Sequence, residues 1–272
     1  MTTEQTALFH RELIRHELVL RTVAVTNVQR VAPDMVRLTI GGSELAGFTS
    51  NGAADHIKLF LPNPETGVIT SPRDGNPAAV ISRDFTPLVR EGAEGTEIDL
   101  DFYTHVNPGP AASFALNASV GSVLMIGGPR GSRSFPAGVQ RLIVIADETA
   151  LPSASRWVAD APADAEVVVI ATVTGDGAWV QNYVGERATV IVTPNEAEPA
   201  IAALTNVGIT DETFIFVAGN AANLIPIRRH LRRVLELPAA QVAVSGYWRT
   251  GVVAWDHHAP LDPTDPGDLD SE

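Results

Sequence analysis

The feature that most limits the fold of this chain is a change of hydrophobic pattern near residue 136. Before it, apolar and polar residues alternate in short runs, such as 35–40 and 96–103, that are separated by Gly, Pro, Asn and Asp. After it, continuous apolar runs such as 142–145 and 213–218 alternate with helix-like stretches. Period-two alternation is typical of antiparallel strands, whereas continuous apolar runs between helices are typical of a parallel sheet buried on both faces. The sequence therefore predicts an N-terminal antiparallel β-barrel followed by a C-terminal α/β domain with a parallel sheet.

Composition changes along the chain suggest where these domains begin and end. We expect the β-barrel domain to span residues 1–138 and the α/β domain to span residues 139–256. Within them, residues 1–20 predict a short helical lead-in, and residues 222–237 predict a long helix. The segment 257–272 is acidic, rich in Pro and Asp, and contains no Lys or Arg, which is a composition typical of disorder.

Composition also excludes several kinds of site. The 272 residues include no cysteine, which excludes disulfides, cysteine-ligated zinc, iron–sulfur clusters and thiol catalysis, and no metal site is expected. Redox chemistry would then require an organic cofactor or a haem. The net charge of −13 argues against nucleic acid or an anionic membrane as a partner. The sequence shows neither an apolar run of roughly 18–20 residues nor a signal-peptide pattern, so we expect a cytoplasmic protein without membrane insertion.

The segment SRDFTP at 82–87 ends a predicted strand and offers three groups that a flavin needs. Arg83 can pair with a phosphate, Phe85 is expected to present a flat apolar surface on the other side of the strand, and Thr86 offers a hydroxyl and a backbone N–H. An ordinary strand end, with an exposed arginine and a core phenylalanine, would show the same pattern. This segment alone therefore leaves both interpretations open.

Two glycine-rich segments are candidates for phosphate binding. The first follows Asp101 and His105, where Gly109 and Pro110 precede a run of small residues that predicts a helix start with exposed backbone N–H groups. The second, GGPRGS at 127–132, is another glycine-rich loop and also contains an arginine. A plain turn and a structural histidine are the alternatives, so neither segment is specific by itself.

Four further segments, together with those above, resemble the siderophore-interacting protein family, whose members are FAD-dependent ferric-siderophore reductases of the ferredoxin–NADP reductase superfamily. They are DHIKL at 55–59, DETALP at 147–152, VAGN at 217–220 with IRRHL at 227–231, and GYWRTG at 246–251. The resemblance covers roughly residues 20–252 in the right order. No single segment is decisive, but the ordered set is specific.

The resemblance implies roles for individual positions. Arg83 would contact the flavin phosphate, Phe85 would stack on the isoalloxazine ring, and Thr86 would lie near ring atom N5, which makes Thr86 the nearest candidate for a catalytic residue. The other cofactor-binding positions that the matched segments imply are Asp101, His105, Gly109, Pro110, Ala111, Ala112, Ser113, Gly128, Arg130, Gly131, Ser132, Asp147, Glu148, Thr149, Ala150, Tyr247 and Trp248.

Three cations match a basic triad that the family is proposed to use for holding the siderophore. They are Lys58, Arg130 and Arg249. The alternatives are that Arg130 binds flavin phosphate and that Arg249 binds nicotinamide-cofactor phosphate. The chain also departs from the family, because Phe85 replaces a common Tyr and residues 112–114 are Ala, Ser and Phe instead of Ser, Arg and Trp.

The expected function is a flavin-dependent reductase that passes electrons from NADPH or NADH through FAD to the Fe(III) of a ferric siderophore and releases Fe(II). The donor stays open, because residues 171–177 hold no arginine for a 2′-phosphate, and a reduced ferredoxin is a further candidate. The chain also has Asn220 where the family commonly has Glu. The departures at Phe85, Ala112, Ser113 and Asn220 fit an alternative, a flavin-poor siderophore-binding module without reductase activity. A general NAD(P)H:flavin electron-transfer protein is the third hypothesis.

Overall fold

The computed structural model describes residues 7–93, 95–104, 107–256 and 259–265. They form two compact units: a β-unit, Leu13–Ser132, and an α/β unit, which combines the described parts of Met1–Glu12 and Arg133–Glu272. The predicted boundary at residue 138 lies a few residues beyond this division. The residues before Leu13, which the sequence places in the β-barrel domain, group with the α/β unit instead.

The β-unit is built from antiparallel strands whose buried faces are apolar. Seven of them form one sheet in the order β5-β4-β8-β2-β3-β7-β6, and β1 pairs with β9 in a separate two-stranded sheet. Among the described residues of this unit, one α-helix, α1, interrupts the strands where the sequence predicts one, in addition to two short 3₁₀ turns. The bounds are β1 Leu13–Arg15, β2 Leu20–Ala32, β3 Met35–Gly41, β4 Ile57–Phe60, β5 Ser82–Phe85, β6 Leu88–Gly92, β7 Gly95–Tyr103, α1 Pro110–Asn117, β8 Val123–Gly127 and β9 Gly131–Arg133.

Alternate side chains of these strands form the core of the β-unit. Leu38 and Ile40 of β3, Leu100 of β7 and Leu124 of β8 are fully buried and belong to one hydrophobic cluster. Because side chains alternate across a strand, the polar residues between them point to the other face of the sheet, where the buried Thr39 donates to Oδ1 of Asp99 at 2.6 Å. The antiparallel N-terminal fold predicted from the alternation is therefore confirmed.

The α/β unit has a five-stranded parallel sheet in the order β12-β11-β10-β13-β14. The chain moves outward from β10 to β12 and then returns to β13 on the other side of β10, so the strand order reverses between β10 and β13. The predicted parallel α/β fold is confirmed. The bounds are β10 Arg141–Ala146, α2 Leu151–Asp160, β11 Glu166–Thr172, α3 Val180–Val184, β12 Thr189–Thr193, α4 Ala197–Val207, β13 Thr213–Asn220, α5 Ala221–Arg229, a π-helical turn His230–Val234 and β14 Val242–Trp248.

The described N-terminal residues form a turn at residues 8–9, followed by strand β1, and are not helical. Phe9 donates its N–H to the carbonyl of Ala137, and the ring of Phe9 lies 5.9 Å from that of Phe214 in the core of the α/β unit. The guanidinium of Arg11 lies 5.2 Å from the ring centroid of Trp157. These tertiary contacts and the strand β1 replace the predicted helical lead-in, which is wrong for residues 7–20.

The described part of the C-terminal segment packs against α5. Leu261 is 8% exposed and belongs to the core cluster of the α/β unit. Asp262 pairs with Arg229 at 2.6 Å, and Asp265 pairs with Arg233 at 2.5 Å and with the buried Arg228 at 3.4 Å. The prediction of disorder is wrong for residues 259–265, because one buried leucine and two ion-paired carboxylates hold them in place. Residues 257–258 and 266–272 lie outside the described residues.

Candidate functional site

Strand β5 carries Arg83 and Phe85 on the same face. Its register with β4 pairs Arg83 with Leu59 and Phe85 with Ile57, and directly opposed residues of antiparallel strands point to the same side. Both β4 residues are fully buried in the core. The prediction that Phe85 points away from the side of Arg83 is wrong, because residues two apart in a strand share a face.

Arg83 is a half-buried cation with no carboxylate partner among the described residues. Its Nη1 donates to the carbonyl of Ser82 at 2.7 Å. Burial lowers the pKa of Arg83, and the neighbouring charge of Asp84 only partly opposes this. A guanidinium held in this state favours an anion, and a phosphate fits it in charge and in hydrogen-bond geometry.

Phe85 and Thr86 continue the same edge of the sheet. The ring of Phe85 packs on that of Phe102 with centroids 4.4 Å apart and planes tilted by 42°. Phe85 remains half-buried, whereas Thr86 is only 6% exposed. A partly accessible ring beside a desolvated cation is consistent with the predicted stacking surface next to a phosphate contact.

The start of α1 offers backbone groups rather than side chains. Gly109 is the N-cap in an extended conformation and makes no side-chain capping bond, and Pro110 follows it as the first helical residue. The hydroxyl of Ser113 donates to the carbonyl of Pro108 at 3.2 Å, and Ala112 is buried. The N–H groups around Ala111 are therefore what this helix start can offer to a phosphate. The predicted residue His105 lies outside the described residues.

Asp101 is committed to another part of the β-unit. Its two carboxylate oxygens accept from Nε and Nη2 of Arg37, each at 2.7 Å, and the side chain is buried. This bidentate pair joins β7 to β3, so the ion pair with Arg37 accounts for a buried carboxylate at Asp101 without any ligand. A cofactor contact at Asp101 stays a prediction that the geometry does not favour.

The glycines of the segment 127–132 have structural reasons for their small size. Gly128 has a φ of +96°, which disfavours any residue with a side chain. A Cβ on Gly131 would lie 2.8 Å from the carbonyl oxygen of Ile14, so only glycine allows β1 and β9 to approach. Arg130 between them is exposed, and its side chain has no partner among the described residues.

Ser132 is the centre of a buried hydrogen-bond cluster. It is 1% exposed, and its Oγ donates to Oδ2 of Asp55 at 2.5 Å. Oγ of Ser132 also accepts from the backbone N–H of Asn51 at 3.0 Å and lies 2.7 Å from Nε2 of His16. Ser132 thus ties three parts of the β-unit together, and its hydroxyl is not available to a cofactor in this arrangement.

The three cations of the predicted triad differ in their surroundings. Lys58 pairs with Asp84, its cross-strand neighbour, at 2.7 Å. Arg130 is exposed and unpaired among the described residues, and the guanidinium of Arg249 lies 5.2 Å from the ring centroid of Trp255. Lys58 and Arg130 belong to the β-unit and Arg249 to the α/β unit, and their joint action stays a prediction.

In the α/β unit, Asp147 joins the ends of three neighbouring strands. It follows β10, and its Oδ1 accepts from the N–H and the hydroxyl of Thr149 at 2.9 and 2.6 Å and from the N–H of Ala150 at 3.3 Å. Its Oδ2 accepts from the N–H of Asn220 at the end of β13 and from Nε1 of Trp248 at the end of β14. The carboxylate therefore organises the edge of the sheet where the strand order reverses, which is the edge where α/β proteins bind ligands.

Burial raises the pKa of Asp147 to about 6. The hydrogen bonds from Thr149 and Trp248 oppose this rise, and the nearby charge of Glu148 adds to it. Desolvation disfavours the charged form and exceeds the effect of the donors. The group therefore titrates closer to neutrality than an exposed aspartate.

Gly219 is shaped by the same carboxylate. Its φ is +143°, and a Cβ there would lie 2.5 Å from Cγ of Asp147. The next residue, Asn220, caps α5 through the N–H of Ala222 and donates from Nδ2 to the hydroxyl of Thr250 at 2.8 Å. The segment that ends β14, with the half-buried Tyr247 in it, is thus fixed against the end of β13.

Glu148 makes the corresponding connection in the other direction along the sheet. It is 4% exposed, and its Oε1 accepts from the N–H and the hydroxyl of Thr174 at 2.6 and 2.7 Å. Thr174 lies in the loop after β11, so Glu148 joins the ends of β10 and β11. The sequence analysis missed Thr174, for which a hydroxyl near the end of the second strand was the only available signal. It also missed Trp255, whose ring contacts the guanidinium of Arg249.

Among the described residues, no helix is both long enough and apolar enough to cross a membrane. Within the same described ranges, His, Asp and Glu side chains do not gather in groups of three or more that could hold a metal ion.

Comparisons with protein families agree with the division of the fold. Residues 24–133 match the family model described as the siderophore-interacting FAD-binding domain. Residues 139–251 match the one described as siderophore-interacting protein.

Individual relatives resemble the chain over different lengths. The crystal structure of a siderophore utilization protein from T. fusca superposes with a TM-score of 0.82 and 34% identity, covering 92% of this chain and 100% of that one. An NADPH-dependent ferric-chelate reductase of Escherichia coli is 35% identical over 153 residues, which is 53% of this chain and 58% of the relative's length. The ferric vibriobactin reductase ViuB of Vibrio cholerae is 27% identical over 237 residues, covering 81% of this chain and 86% of that protein.

Proposed function

This chain belongs to the siderophore-interacting protein family, and on that basis we propose that it is a flavin-dependent reductase that moves electrons from NAD(P)H through FAD to the Fe(III) of a ferric siderophore. Ferrous iron fits siderophore ligands poorly, so reduction releases it as Fe(II). The relatives named as ferric-chelate and ferric vibriobactin reductases support this reaction class. The observation that carries the proposal is the half-buried Arg83 beside Phe85, which has no carboxylate partner in the described part of the chain.

The residues of the β-unit fit the requirements of FAD. Arg83 supplies a desolvated positive charge for a phosphate, and the N–H groups at the start of α1 supply neutral donors for another. Phe85 supplies the ring for stacking, and Thr86 supplies a hydroxyl and an N–H beside it. When bound, FAD would supply the redox chemistry, since a flavin can take up a hydride and give up electrons singly. The protein's part is to position the reactants and to tune their electrostatics.

The substrate side of the proposal rests on charge. Ferric catecholate siderophores are anionic, and this acidic protein needs local cations to receive them. Arg130 is exposed and unpaired among the described residues, and Lys58 keeps 43% of its side chain exposed although it pairs with Asp84. Arg249 follows the anchored Trp248, so the Asp147 hydrogen bonds fix the backbone from which it projects.

We also propose that the protein works in the cytoplasm, where nicotinamide donors are available. A reduced ferredoxin is the alternative electron donor in this proposal. The acidic edge of the α/β unit, with Asp147 and Glu148, is no obstacle to the adenosine ribose of a nicotinamide dinucleotide, whose hydroxyls can donate to carboxylates.

The test is a visible absorption spectrum of the purified full chain under anaerobic conditions, followed by stepwise additions. We expect bound-flavin bands that bleach with NADH or NADPH and return when a ferric catecholate siderophore is added, with Fe(II) trapped by a ferrous chelator. Arg130→Ala should slow the return with the siderophore more than with a small uncharged acceptor. Equal slowing with both acceptors would contradict the siderophore-specific part of the proposal.

Two other results would redirect the proposal. If the flavin bands persist with both nicotinamides but bleach with reduced ferredoxin, the electron donor is ferredoxin and not NAD(P)H. A colourless protein that takes up no added FAD and still binds a ferric siderophore would identify the alternative, a flavin-poor binding module.

A further inference from the structure

We propose that this protein selects NADH over NADPH, and that Glu148 and Asp176 are the residues that exclude the 2′-phosphate. The inference rests on the proposed function and names its electron donor. NADH and NADPH differ only by the phosphate on the 2′-oxygen of the adenosine ribose. In parallel α/β folds this ribose lies near the carboxyl end of the second strand, where an acidic residue favours the free hydroxyl and an arginine favours the phosphate.

The charged residues in the three loops after β10, β11 and β12 are all acidic. The loops that follow β10, β11 and β12 are residues 147–150, 173–179 and 194–196. They contain Asp147, Glu148, Asp176 and Glu196 and neither Lys nor Arg. A dianionic 2′-phosphate placed here would meet like charges without a counter-charge, which disfavours its binding.

Glu148 leaves the loop after β11 without a hydroxyl donor for a phosphate. Thr174 is the only hydroxyl residue of the loop 173–179, and both its N–H and its Oγ1 donate to Oε1 of Glu148. The second oxygen, Oε2, accepts no hydrogen bond from the described residues. A ribose hydroxyl can donate to such an oxygen, whereas a phosphate has no proton to donate at neutral pH and is repelled.

The loop after β11 is also fixed in its conformation. Asp176 accepts from the N–H of Ala178 at 3.1 Å, which closes a local turn. Gly177 has a φ of +59°, and a Cβ on it would lie 2.6 Å from Cγ1 of Val192, so the backbone presses against β12. A rigid loop with these contacts is not expected to rearrange and bring in a cation.

Three other arginines of the α/β unit are committed elsewhere. Arg229 and Arg233 pair with Asp262 and Asp265, and Arg187 donates to backbone carbonyls at the C-terminal end of α2. Arg156 lies on α2, beyond its first turn, and already has a partner in the structure. The test nevertheless includes it, because α2 begins at the same edge of the sheet.

The first measurement compares 5′-AMP with adenosine 2′,5′-bisphosphate, which differ only by the 2′-phosphate. Isothermal titration of each into the FAD-loaded full chain gives the two dissociation constants without any turnover. We expect 5′-AMP to bind at least about tenfold more tightly, the ratio that a modest electrostatic penalty produces. Anaerobic flavin reduction should favour NADH over NADPH in the same direction.

Matched variants assign the effect to residues. Glu148→Gln keeps an acceptor oxygen for Thr174 but removes the charge, so we expect the bisphosphate to bind more tightly while 5′-AMP changes little. Asp176→Arg should shift the preference towards the bisphosphate further. The control is Glu166→Gln, the same change at the opposite end of β11, where the carboxylate pairs with Arg141, and it should leave both constants unchanged.

The outcomes separate this inference from the proposed function. Binding of the bisphosphate that is as tight as that of 5′-AMP, or tighter, overturns the inference. If the bisphosphate then binds more weakly to Arg156→Ala, Arg156 is the cation that holds the 2′-phosphate. Flavin reduction by NADPH at a rate equal to or above that with NADH also overturns it, while leaving the reductase intact. A protein that binds neither adenosine probe and is reduced by neither nicotinamide contradicts the inference and the nicotinamide-dependent function together.

Discussion

Leu261→Ala tests whether the C-terminal segment is part of the core of the α/β unit. Leu261 is 8% exposed and lies in the same cluster as Leu231 of the π-helical turn and Val244 of β14. Its Cδ1 lies 3.0 Å from the point where Gly246 would carry a Cβ, so it packs directly on the backbone of β14. Truncation would therefore remove contacts that a disordered tail could not make.

The size of the effect follows from the carbon atoms removed. Leucine to alanine deletes three carbons, and about 0.8 kcal/mol for each gives about 2.4 kcal/mol of lost burial. The cavity that remains adds to this, so we expect a total loss of about 3 kcal/mol in the free energy of unfolding. With a urea dependence of about 2 kcal/mol per molar, the midpoint falls by about 1.5 M.

Tryptophan fluorescence reports this unfolding without interference from the β-unit. All four tryptophans, at positions 157, 179, 248 and 255, belong to the α/β unit, which matters because a chain of two units need not unfold in one step. The control is Val253→Ala, since Val253 is 82% exposed and its truncation should change the free energy by no more than about 0.5 kcal/mol. Coincident midpoints for the two variants would refute the packing of this segment.

Three further predictions concern the two sites. Gly219→Ala should destabilise the α/β unit by about 3 kcal/mol or more, because it combines a strained φ with a clash on Asp147. The control is Gly175→Ala, which has a positive φ but open space around the new Cβ and should cost about 1 kcal/mol. Equal losses of stability for the two variants in thermal unfolding would contradict the clash. Asp147, with its pKa raised to about 6, binds more protons in the folded than in the unfolded state, so its contribution to stability is full below pH 3.8 and is lost as the pH rises through about 6. The difference in unfolding free energy between Asp147→Asn and the unchanged protein should therefore move in favour of the variant by on the order of 3 kcal/mol over that range, and a constant difference would disprove the shift. Arg83→Met keeps the apolar stem but removes the charge, so FAD titrated into the apoprotein should bind about tenfold more weakly or worse, while the exposed Arg73→Met should bind it normally; an unchanged affinity in Arg83→Met would exclude the phosphate contact.

The hydrophobic pattern predicts most of the fold because it records which faces are buried. The continuous apolar runs 142–145 and 213–218 lie within β10 and β13, and the alternating run 35–40 lies within β3. The helix predicted over 222–237 is shorter in the structure, since α5 ends at Arg229 and continues as a π-helical turn to Val234. Such errors at the ends of elements reflect tertiary contacts that local periodicity does not contain.

The tail shows why composition alone misled. Pro, Asp and Gly in 257–272 indicate a segment that cannot form a core of its own, and this remains true of it. Order comes from the rest of the fold, because α5 and the turn after it present arginines to Asp262 and Asp265 and leave a gap that Leu261 fills. The spacing of two carboxylates three residues apart, opposite a basic helix, was the available signal.

The sequence predicts which segments form the candidate site, but not what the individual residues in those segments do. The matched segment around Asp147 indicates the right edge of the sheet, yet only the fold shows that this carboxylate binds the ends of β13 and β14. In the same way, Asp101 and Ser132 stand in segments that suggest a cofactor, and their hydrogen bonds to Arg37 and Asp55 account for them structurally. Sequence similarity locates a site more readily than it distinguishes ligand contacts from the residues that hold the site together.

The α/β unit is discontinuous along the chain, and this decides how the protein can be dissected. A fragment that starts at Arg133 would lack Phe9 and Arg11 and would leave the faces of Trp157 and Phe214 that they cover open to water. Such a fragment would be expected to aggregate even though it contains every strand of the parallel sheet. Joining residues 7–12 through a short flexible linker to residue 133, with the β-unit left out, is the cut that keeps this hydrophobic surface covered.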